Sequence, residues 1–383
     1  MKRSQRILLL LLLLGVGGAA LWLYGTDSGR AWRLARTPTR DLLARTLANP
    51  KDRIAQRILG ERLLADGRAE EAVTTFRAAS EAEPEAAWPL AALGWALVRA
   101  GHPADAVAPL ERALRLSPRD ADAHAALGEA YTMLDQREAA EGHFRAAIAA
   151  DAGHAEALAG LAILETDKRN DAEARELARR AAEAAPNSCA AWTALGYVED
   201  KAGNTEKALE ALSRAVASAP NDARAWRLLA AARVRSARTP EEFARAEEAL
   251  ARAERLTPAL PMIPYQRGLL RAREGRHSEA IGEFQRALER NPNFTDALYN
   301  LSLSLAFAGR AEESALARKR FERAGDYQRD RTALQLRLSA DPENLALWRR
   351  LAQRAEAQQD IATTDLARRQ IQALESARQR AAP

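Results

Sequence analysis

The stretch that decides the fold is AWPLAALGWALVRAGHPADAVAPLERALRLSPRD, residues 87–120. Its apolar residues recur three and four positions apart, the spacing that places side chains on one face of a helix. Near its end stands Pro118, and a proline there marks the point where one helix has ended and the next has not begun. The stretch therefore predicts a helix-turn-helix unit.

The same proline recurs at a fixed interval along the chain. Prolines separated by 34 residues, or by twice that interval, are Pro50, Pro84, Pro118, Pro186 and Pro220. Ala152 fills the missing place, and after a slip of four residues the series continues at Pro258 and Pro292. Because 34 residues is the length of a helix-turn-helix repeat, the chain is predicted to be a tandem array.

The proline series divides the chain into eight predicted repeats. The sixth is four residues longer than the others because of an insertion at 236–241. The predicted repeats are 53–86, 87–120, 121–154, 155–188, 189–222, 223–260, 261–294 and 295–328. Such an array has no single core, because each repeat buries its apolar face against its neighbours.

Residue types also recur at fixed places within the repeats. The first three repeats carry Leu59-Gly60, Ala72, Phe76 and Ala79, then Leu93-Gly94, Ala106, Leu110 and Ala113, then Leu127-Gly128, Ala140, Phe144 and Ala147. The residue types at these places resemble the pattern of the tetratricopeptide repeat family, closely over 53–294 and more weakly over 295–328. The resemblance implies an all-α, right-handed superhelical solenoid of helix-turn-helix repeats. In it, glycine and alanine stand where two helices approach closely.

Some of the repeats depart from the family pattern. The fourth has Glu165 where an apolar residue is usual, and the eighth has Asp326 where a proline is expected. We therefore expect 295–328 to be a distorted or terminal repeat. Residues 329–383 are predicted to form degenerate C-terminal helices, the first of them over 332–340.

The N-terminus carries a membrane signal. A basic tail, residues 1–6, precedes an uncharged and mostly leucine run at 7–24. Eighteen helical residues span about 27 Å, close to the roughly 30 Å hydrocarbon core of a bilayer. We expect 7–24 to be a single-pass transmembrane helix, because Trp22 and Tyr24 stand where an interfacial aromatic belt forms. A cleaved signal peptide is the alternative, since residues 18–20 are small.

Charges on the two sides of this span give opposite indications of topology. The cations of 1–6 favour a cytoplasmic N-terminus, whereas the arginines within 30–40 favour the reverse. The tail lies next to the span, and 25–29 contains no cation. We therefore expect a cytoplasmic N-terminus and repeats on the periplasmic or extracytoplasmic side. Residues 25–52 are predicted to be a juxtamembrane linker followed by a capping helix.

In proteins of the family that this chain resembles, the first helix of each repeat lines a concave groove. Its second, fifth, ninth, twelfth and thirteenth places face that groove, and the second repeat has Trp88, Trp95 and Arg99 there. Trp88 and Trp95 are seven residues apart and therefore lie on one helix face, where they can bury much apolar area on binding. The alternative is that they pack on the first repeat or on the juxtamembrane segment. Trp192 and Trp226 stand at core places instead.

In the later repeats the groove places hold aromatic and basic residues. These are Tyr197, Arg224, Arg227, Arg235, Tyr265, Arg273, Tyr299 and Phe307. The arginines favour an acidic or extended peptide as the ligand. Solvated arginines without a ligand are the alternative. The lysine and asparagine with which some relatives clamp a terminal carboxylate do not stand at the corresponding places.

The sequence contains no recognisable catalytic or metal-binding motif. Its five histidines form no pair at metal-ligand spacing, and Cys189 is the one cysteine. A phosphate loop, a nucleophile elbow and a zinc-protease motif are all missing. We therefore expect no enzyme activity, cofactor, metal or small-molecule substrate. The net charge of +5 does not call for a nucleic-acid ligand.

The leading hypothesis is a membrane-tethered scaffold or adaptor that binds protein or peptide partners in its groove. The alternative is an envelope-biogenesis or secretion factor that binds transiting polypeptides as a chaperone does. The sequence indicates neither the partner nor the oligomeric state.

Overall fold

The computed structural model describes residues 27–49 and 52–381, and within these ranges the chain forms helices and no strand. The helices are α1 (Asp27–Leu34), α2 (Thr39–Ala48), α3 (Arg53–Ala65), α4 (Ala69–Ala82), α5 (Ala87–Ala100), α6 (Pro103–Leu116), α7 (Ala121–Met133), α8 (Arg137–Ala150), α9 (Ala155–Asp167), α10 (Asp171–Ala184), α11 (Cys189–Lys201), α12 (Thr205–Ser218), α13 (Ala223–Ser236), α14 (Pro240–Leu256), α15 (Met262–Arg273), α16 (His277–Arg290), α17 (Thr295–Phe307), α18 (Ala311–Ala340), α19 (Leu345–Ala357) and α20 (Ile361–Ala381). No helix in the described ranges combines the length and the apolar character needed to cross a bilayer. The predicted basic tail and transmembrane helix, residues 1–24, lie outside the described residues.

The chain divides into two compact units, an N-terminal unit ending at Asn204 and a C-terminal unit beginning at Thr205. In the N-terminal unit, α3 to α10 form four successive helical hairpins, and α11 follows them. In the C-terminal unit, α12 precedes four further pairs, from α13–α14 to α19–α20. The all-helical repeat fold is therefore confirmed, and its right-handed superhelical form stays a prediction.

A second series explains where the first helix begins in five of the eight repeats. At the N-cap, a side chain accepts a hydrogen bond from the backbone N–H three residues later, which satisfies one donor that the helix itself leaves unpaired. The N-cap residues with this bond include Asp52, Asp120, His154, Ser188 and Asp222. Each stands two residues after a place of the proline series. Proline thus separates two helices, and the N-cap begins the second.

The glycines of the first helices allow close contact with the second helix of the same repeat. A Cβ atom on Gly128 would lie 2.6 Å from Cδ1 of Phe144, and one on Gly268 would lie 2.6 Å from Cε1 of Phe284. Both phenylalanine side chains are buried. The backbone at these glycines therefore forms part of the pocket that holds each aromatic ring.

The substitution Gly128→Ala is expected to lower the free energy of unfolding of the N-terminal unit by about 2 kcal/mol, because the added methyl group displaces the ring of Phe144. The ring cannot move away freely, since Gly160 lies against it as well. The matched control is Gly142→Ala, where a Cβ would meet no atom within 4 Å. It should be neutral or stabilising by up to about 1 kcal/mol, because alanine favours the helix. Urea denaturation measures both, and equal stabilities would contradict this explanation.

The described part of the predicted linker packs on the first repeat. Leu34 of α1 and Leu42 of α2 are buried in the core of the N-terminal unit. The Asp52 side chain is 1% exposed and lies 2.8 Å from Nε of Arg45 and 2.7 Å from Nη2 of Arg30. Burial opposes ionisation, but the hydrogen bonds from Arg45, a backbone N–H and Arg30 together lower the pKa of Asp52. One buried carboxylate thus joins α1, α2 and α3.

Glu165, which departs from the family pattern, is a fully buried carboxylate. Its Oε1 accepts a hydrogen bond from Lys168 Nζ at 3.1 Å, and its Oε2 accepts one from Asn170 Nδ2 at 2.5 Å. The same Glu–Asn pair occurs 34 residues later, between Glu199 and Asn204 at 2.5 Å. A buried carboxylate is tolerated when it is paired and hydrogen-bonded, and these partners supply that condition.

The eighth repeat differs from its predicted bounds. Helix α18 runs without interruption over 311–340, so the predicted boundary after residue 328 lies inside a helix. The separate helix predicted over 332–340 is the last part of α18. Asp326 has a backbone N–H, so it does not interrupt helical hydrogen bonding as a proline would. The helix ends just before Pro342, which disfavours helical backbone in the preceding residue.

Candidate partner-binding site

A cavity of about 440 Å³ in the N-terminal unit is lined by residues of α3, α4, α5, α7 and α9. Trp88 and Trp95 both line it, and the buried ring of Phe76 adds a third aromatic surface. Ala91 and Ala125 line it as well, and their small side chains leave the space open. The volume lies within the range of ligand-binding pockets, about 300–1,000 Å³. We call this feature the tryptophan cavity.

Both tryptophans are half-buried and pack in part on the core of the N-terminal unit. Nε1 of Trp88 donates to Glu83 Oε2 at 3.3 Å. The Arg53 guanidinium lies 5.3 Å from the ring centroid of Trp88, and that of Arg99 lies 5.9 Å from that of Trp95. Each ring therefore packs on the core and also lines the cavity, and the binding of a partner by these two residues stays a prediction.

Trp192 and Trp226 have a different environment. Their Nε1 atoms donate to the carbonyl oxygens of Pro186 and Pro220, at 2.7 and 2.9 Å. Both rings are half-buried, not enclosed as the core places predict. A proline at the end of the preceding repeat, six residues earlier, therefore holds each ring.

Carboxylates dominate the polar lining of the tryptophan cavity. The acidic residues of the lining are Glu61, Asp120, Asp122 and Glu156. Arg57 and His154 are its basic residues, and Arg57 Nε lies 2.7 Å from Glu61 Oε1. The lining is therefore net negative in either protonation state of the histidine. No group of histidine, cysteine, aspartate and glutamate in the part of the chain that the structure describes is arranged to hold a metal ion.

His154 fixes one of these carboxylates. Its Nδ1 accepts a hydrogen bond from the Ala157 N–H at 3.3 Å, and its Nε2 lies 3.1 Å from Asp122 Oδ1. With Nδ1 acting as the acceptor, the ring proton is on Nε2, which donates to the carboxylate. This bond lowers the pKa of Asp122 and raises the pKa of His154. Asp122 therefore remains ionised at neutral pH and contributes its charge to the cavity.

The structure places Tyr197 and Tyr265 outside the tryptophan cavity. The Tyr197 hydroxyl donates to Asp167 Oδ1 at 2.9 Å. Tyr265 is half-buried, with its ring centroid 4.8 Å from that of Phe294. Intramolecular contacts therefore engage both predicted groove residues.

Tyr299 and Phe307, on α17 of the C-terminal unit, are the most exposed of the predicted aromatic residues. Their exposed fractions are 49% and 74%. The Phe307 ring stacks on His277 at 4.8 Å, and the Tyr299 ring lies 5.6 Å from that of Phe321. These two side chains present apolar surface to solvent.

The predicted arginines of the C-terminal unit lie on α13 and α15. Arg224, Arg235 and Arg273 are exposed, and Arg227 is half-buried. Burial and the neighbouring charge of Arg224 lower the pKa of Arg227. Arg273 donates to the main-chain oxygen of Arg235, and burial together with nearby arginines lowers its pKa. This surface is basic, in contrast to the acidic tryptophan cavity.

Sequence reasoning missed the carboxylates of the cavity. Glu61, Asp122 and Glu156 stand at the ninth or second place of their repeats, which are groove places like those of Trp88 and Trp95. The signal was present in the same register. It was missed because these carboxylates stand in three different repeats and come together only in the folded chain.

Comparisons with known proteins agree with this architecture. Family models described as tetratricopeptide repeat match residues 91–135, 134–188, 190–232 and 265–327, which together make up more than half of the chain. The photosystem I assembly protein Ycf3 of Acaryochloris marina (strain MBIC 11017) is 37% identical over 68 residues. That match spans 18% of this chain and 41% of the relative, less than half of its length.

Two solved structures share the fold. A chain of the APC/C hetero-tetramer Cut9–Hcn1 has a TM-score of 0.59 at 15% identity, over 70% of this chain and 52% of that chain. A monomeric mutant of IFIT1 with Gppp-AAAA has a TM-score of 0.54 at 14% identity, over 84% of this chain and 81% of that one. At these identities the likeness concerns the fold alone. Together with the family models and the repeated helical hairpins, it leads to one conclusion: the chain belongs to the tetratricopeptide repeat family.

Proposed function

We propose that the protein is a membrane-tethered scaffold that binds a partner protein in the tryptophan cavity. The observation that carries this proposal is the meeting of Trp88 and Trp95 at a single cavity of ligand-binding size. Tryptophans in concave, partly desolvated sites dominate the binding energy of many protein interfaces. Proteins of this repeat family generally mediate protein–protein interactions. The relative Ycf3 is named as a photosystem I assembly protein.

The tether is residues 7–24, whose length and apolar composition suit a bilayer-spanning helix. The expected topology keeps residues 1–6 in the cytoplasm and the repeats on the periplasmic or extracytoplasmic side. Carbonate washing of membranes should leave the full chain in the pellet. Protease added to intact cells should spare the repeats, and permeabilising the outer membrane should expose them. Release by carbonate would contradict the tether, and repeats protected until the inner membrane is opened would reverse the topology.

Replacing Trp88 and Trp95 together by alanine should weaken capture of the partner about 30-fold or more, because it removes the central aromatic contacts. The experiment uses the full-length chain, with its N-terminal segment, as bait in detergent-solubilised membranes. Captured proteins are quantified by mass spectrometry. Circular dichroism confirms that the variant is folded, and replacement of both residues by phenylalanine should preserve part of the binding.

The matched control is the double variant Leu316→Ala and Leu336→Ala, which removes two exposed apolar side chains of α18, outside both the cavity and the predicted groove places, and should leave capture unchanged. Capture that persists in the tryptophan variant would contradict the proposed site. Capture of many unrelated extended polypeptides with weak affinity would favour the chaperone alternative over a dedicated scaffold.

A further inference from the structure

We infer that the tryptophan cavity receives a lysine or arginine side chain of the partner, flanked by apolar residues. This inference rests on the proposed function, since it presupposes a protein ligand. It adds the chemistry of that ligand, which differs from the acidic peptide that the arginines of the C-terminal unit favour.

The walls of the cavity suit a long side chain with an apolar stem. Trp88, Trp95 and Phe76 supply aromatic surface, and Ala91 and Ala125 supply small apolar patches between them. A lysine or arginine side chain has a methylene stem that packs on such surface while its head group remains polar.

The charges of the cavity suit a cationic head group. Four carboxylates face one guanidinium and one imidazole in the lining. Asp120 and Asp122 each use Oδ1 within the chain, in the α7 N-cap and in the bond to His154. Their Oδ2 atoms have no hydrogen bond to any residue that the structure describes. These oxygens can accept charge-assisted hydrogen bonds from an ammonium or guanidinium group.

The aromatic rings of the cavity are also suited to cations. The chain's own Arg53 and Arg99 lie within 6 Å of the ring centroids of Trp88 and Trp95, at 5.3 and 5.9 Å. This is the range of cation–π attraction, which is strongest for tryptophan. An acidic ligand would instead bring its charge beside the carboxylates and would be repelled.

The test begins with a display library of random ten-residue peptides, selected on the full-length chain in detergent. Peptides that bind the wild type and not the Trp88→Ala/Trp95→Ala variant are sequenced. We expect lysine and arginine to be enriched among them, next to aromatic or aliphatic residues. For one selected peptide, replacing its arginine by citrulline, a neutral isostere, should weaken binding about tenfold.

Two charge variants refine the result. Asp122→Asn with Glu156→Gln removes two cavity charges and keeps an oxygen that accepts from His154. This double variant should weaken binding of the arginine peptide about tenfold and leave binding of the citrulline peptide unchanged. The matched control, Glu81→Gln with Glu138→Gln, makes the same change in net charge at exposed positions outside the lining, and it should leave both peptides unchanged.

The outcomes separate this inference from the proposed function. Tryptophan-dependent peptides that are neutral or acidic, or that bind equally well with citrulline, would overturn the cationic ligand and leave the scaffold standing. The absence of any tryptophan-dependent peptide would overturn both. If free n-butylguanidinium competes at the concentration at which the peptide binds, the cavity binds a small cation. That result would overturn the inference that its ligand is a side chain of a protein partner.

Discussion

The substitution Arg267→Ala is expected to lower the free energy of unfolding of the C-terminal unit by about 3 kcal/mol. Arg267 is 8% exposed and occupies the place in α15 at which every other repeat has leucine. Those leucines are Leu59, Leu93, Leu127, Leu161, Leu195, Leu229 and Leu301. Nε of Arg267 lies 2.8 Å from Glu247 Oε1, and its Nη2 lies 2.9 Å from Glu254 Oε2.

The cost arises mainly from the carboxylates that lose their partner. Glu247 and Glu254 are themselves partly buried, so an uncompensated charge there is poorly solvated. The loss is moderated because Arg271 remains 2.7 Å from Glu247, and Arg290 remains 3.6 Å from Glu254. Alanine also leaves the volume of the guanidinium stem empty.

Hydrogen–deuterium exchange of α14 to α16 measures this effect locally, and a loss of about 3 kcal/mol should speed exchange about 100-fold. Arg267→Leu restores the residue of the other repeats and should cost less than alanine, because it fills the space. Arg318→Ala is the matched control, since that arginine of α18 is exposed and pairs with the exposed Glu322 outside this network. An Arg267→Ala variant as stable as Arg318→Ala would show that the buried network contributes little.

The 34-residue period of the sequence predicts most of the fold. The residues that recur with this period stand where a helix ends or where two helices pack closely against each other. Pro118 separates helices, and Gly128 lies against Phe144; both roles follow from the residue types. The period does not predict the local structure at a place where the recurring residue type is replaced by another. Asp326 replaces proline, and the consequence, a helix twice the usual length, depends on what the following residues permit.

The candidate site was predictable in part. Trp88 and Trp95 could be found because their seven-residue spacing and groove places suffice. The charge of the cavity could not be read with the same ease, because Asp122 and Glu156 come from different repeats and meet only in three dimensions. The burial of Arg267 could not be predicted for the same reason. A buried arginine is tolerated there only because glutamates from α14 pair with it. The spacing of residues within one helix predicts which of them share a face. Contacts between side chains of different repeats can be identified only in the folded chain.

The substitution Asp360→Ala is expected to detach the last helical pair, α19 and α20, from α18, with a loss of about 3 kcal/mol in local stability. Asp360 Oδ1 accepts a hydrogen bond from the Thr363 N–H at 3.1 Å, which caps α20. Its Oδ2 accepts bonds from the Tyr327 hydroxyl at 2.6 Å and from Arg331 Nη1 at 3.2 Å, both in α18. Alanine removes the cap and leaves the buried Tyr327 hydroxyl without this acceptor. Hydrogen exchange in α20 should therefore accelerate about 100-fold.

Asp326→Ala is the matched control, because that carboxylate is exposed on α18, next to Tyr327 in sequence. Comparable exchange in both variants would contradict the role of Asp360. The pH dependence supplies a second test. Burial and the bond to Asp360 raise the pKa of Tyr327 from its usual 10.0 to about 12, so between these pH values only the unfolded tyrosine ionises and stability falls. Tyr327→Phe should abolish that fall.

Despite burial, the bonds from Tyr327 and Thr363 and the charge of Arg331 lower the pKa of Asp360. Its contribution is therefore complete above pH 3.8 and is lost as the pH falls through the lowered value. If the protection of α20, taken as the exchange rate relative to that of an unstructured peptide at the same pH, stays constant across both pH ranges, this carboxylate does not hold the terminal helices.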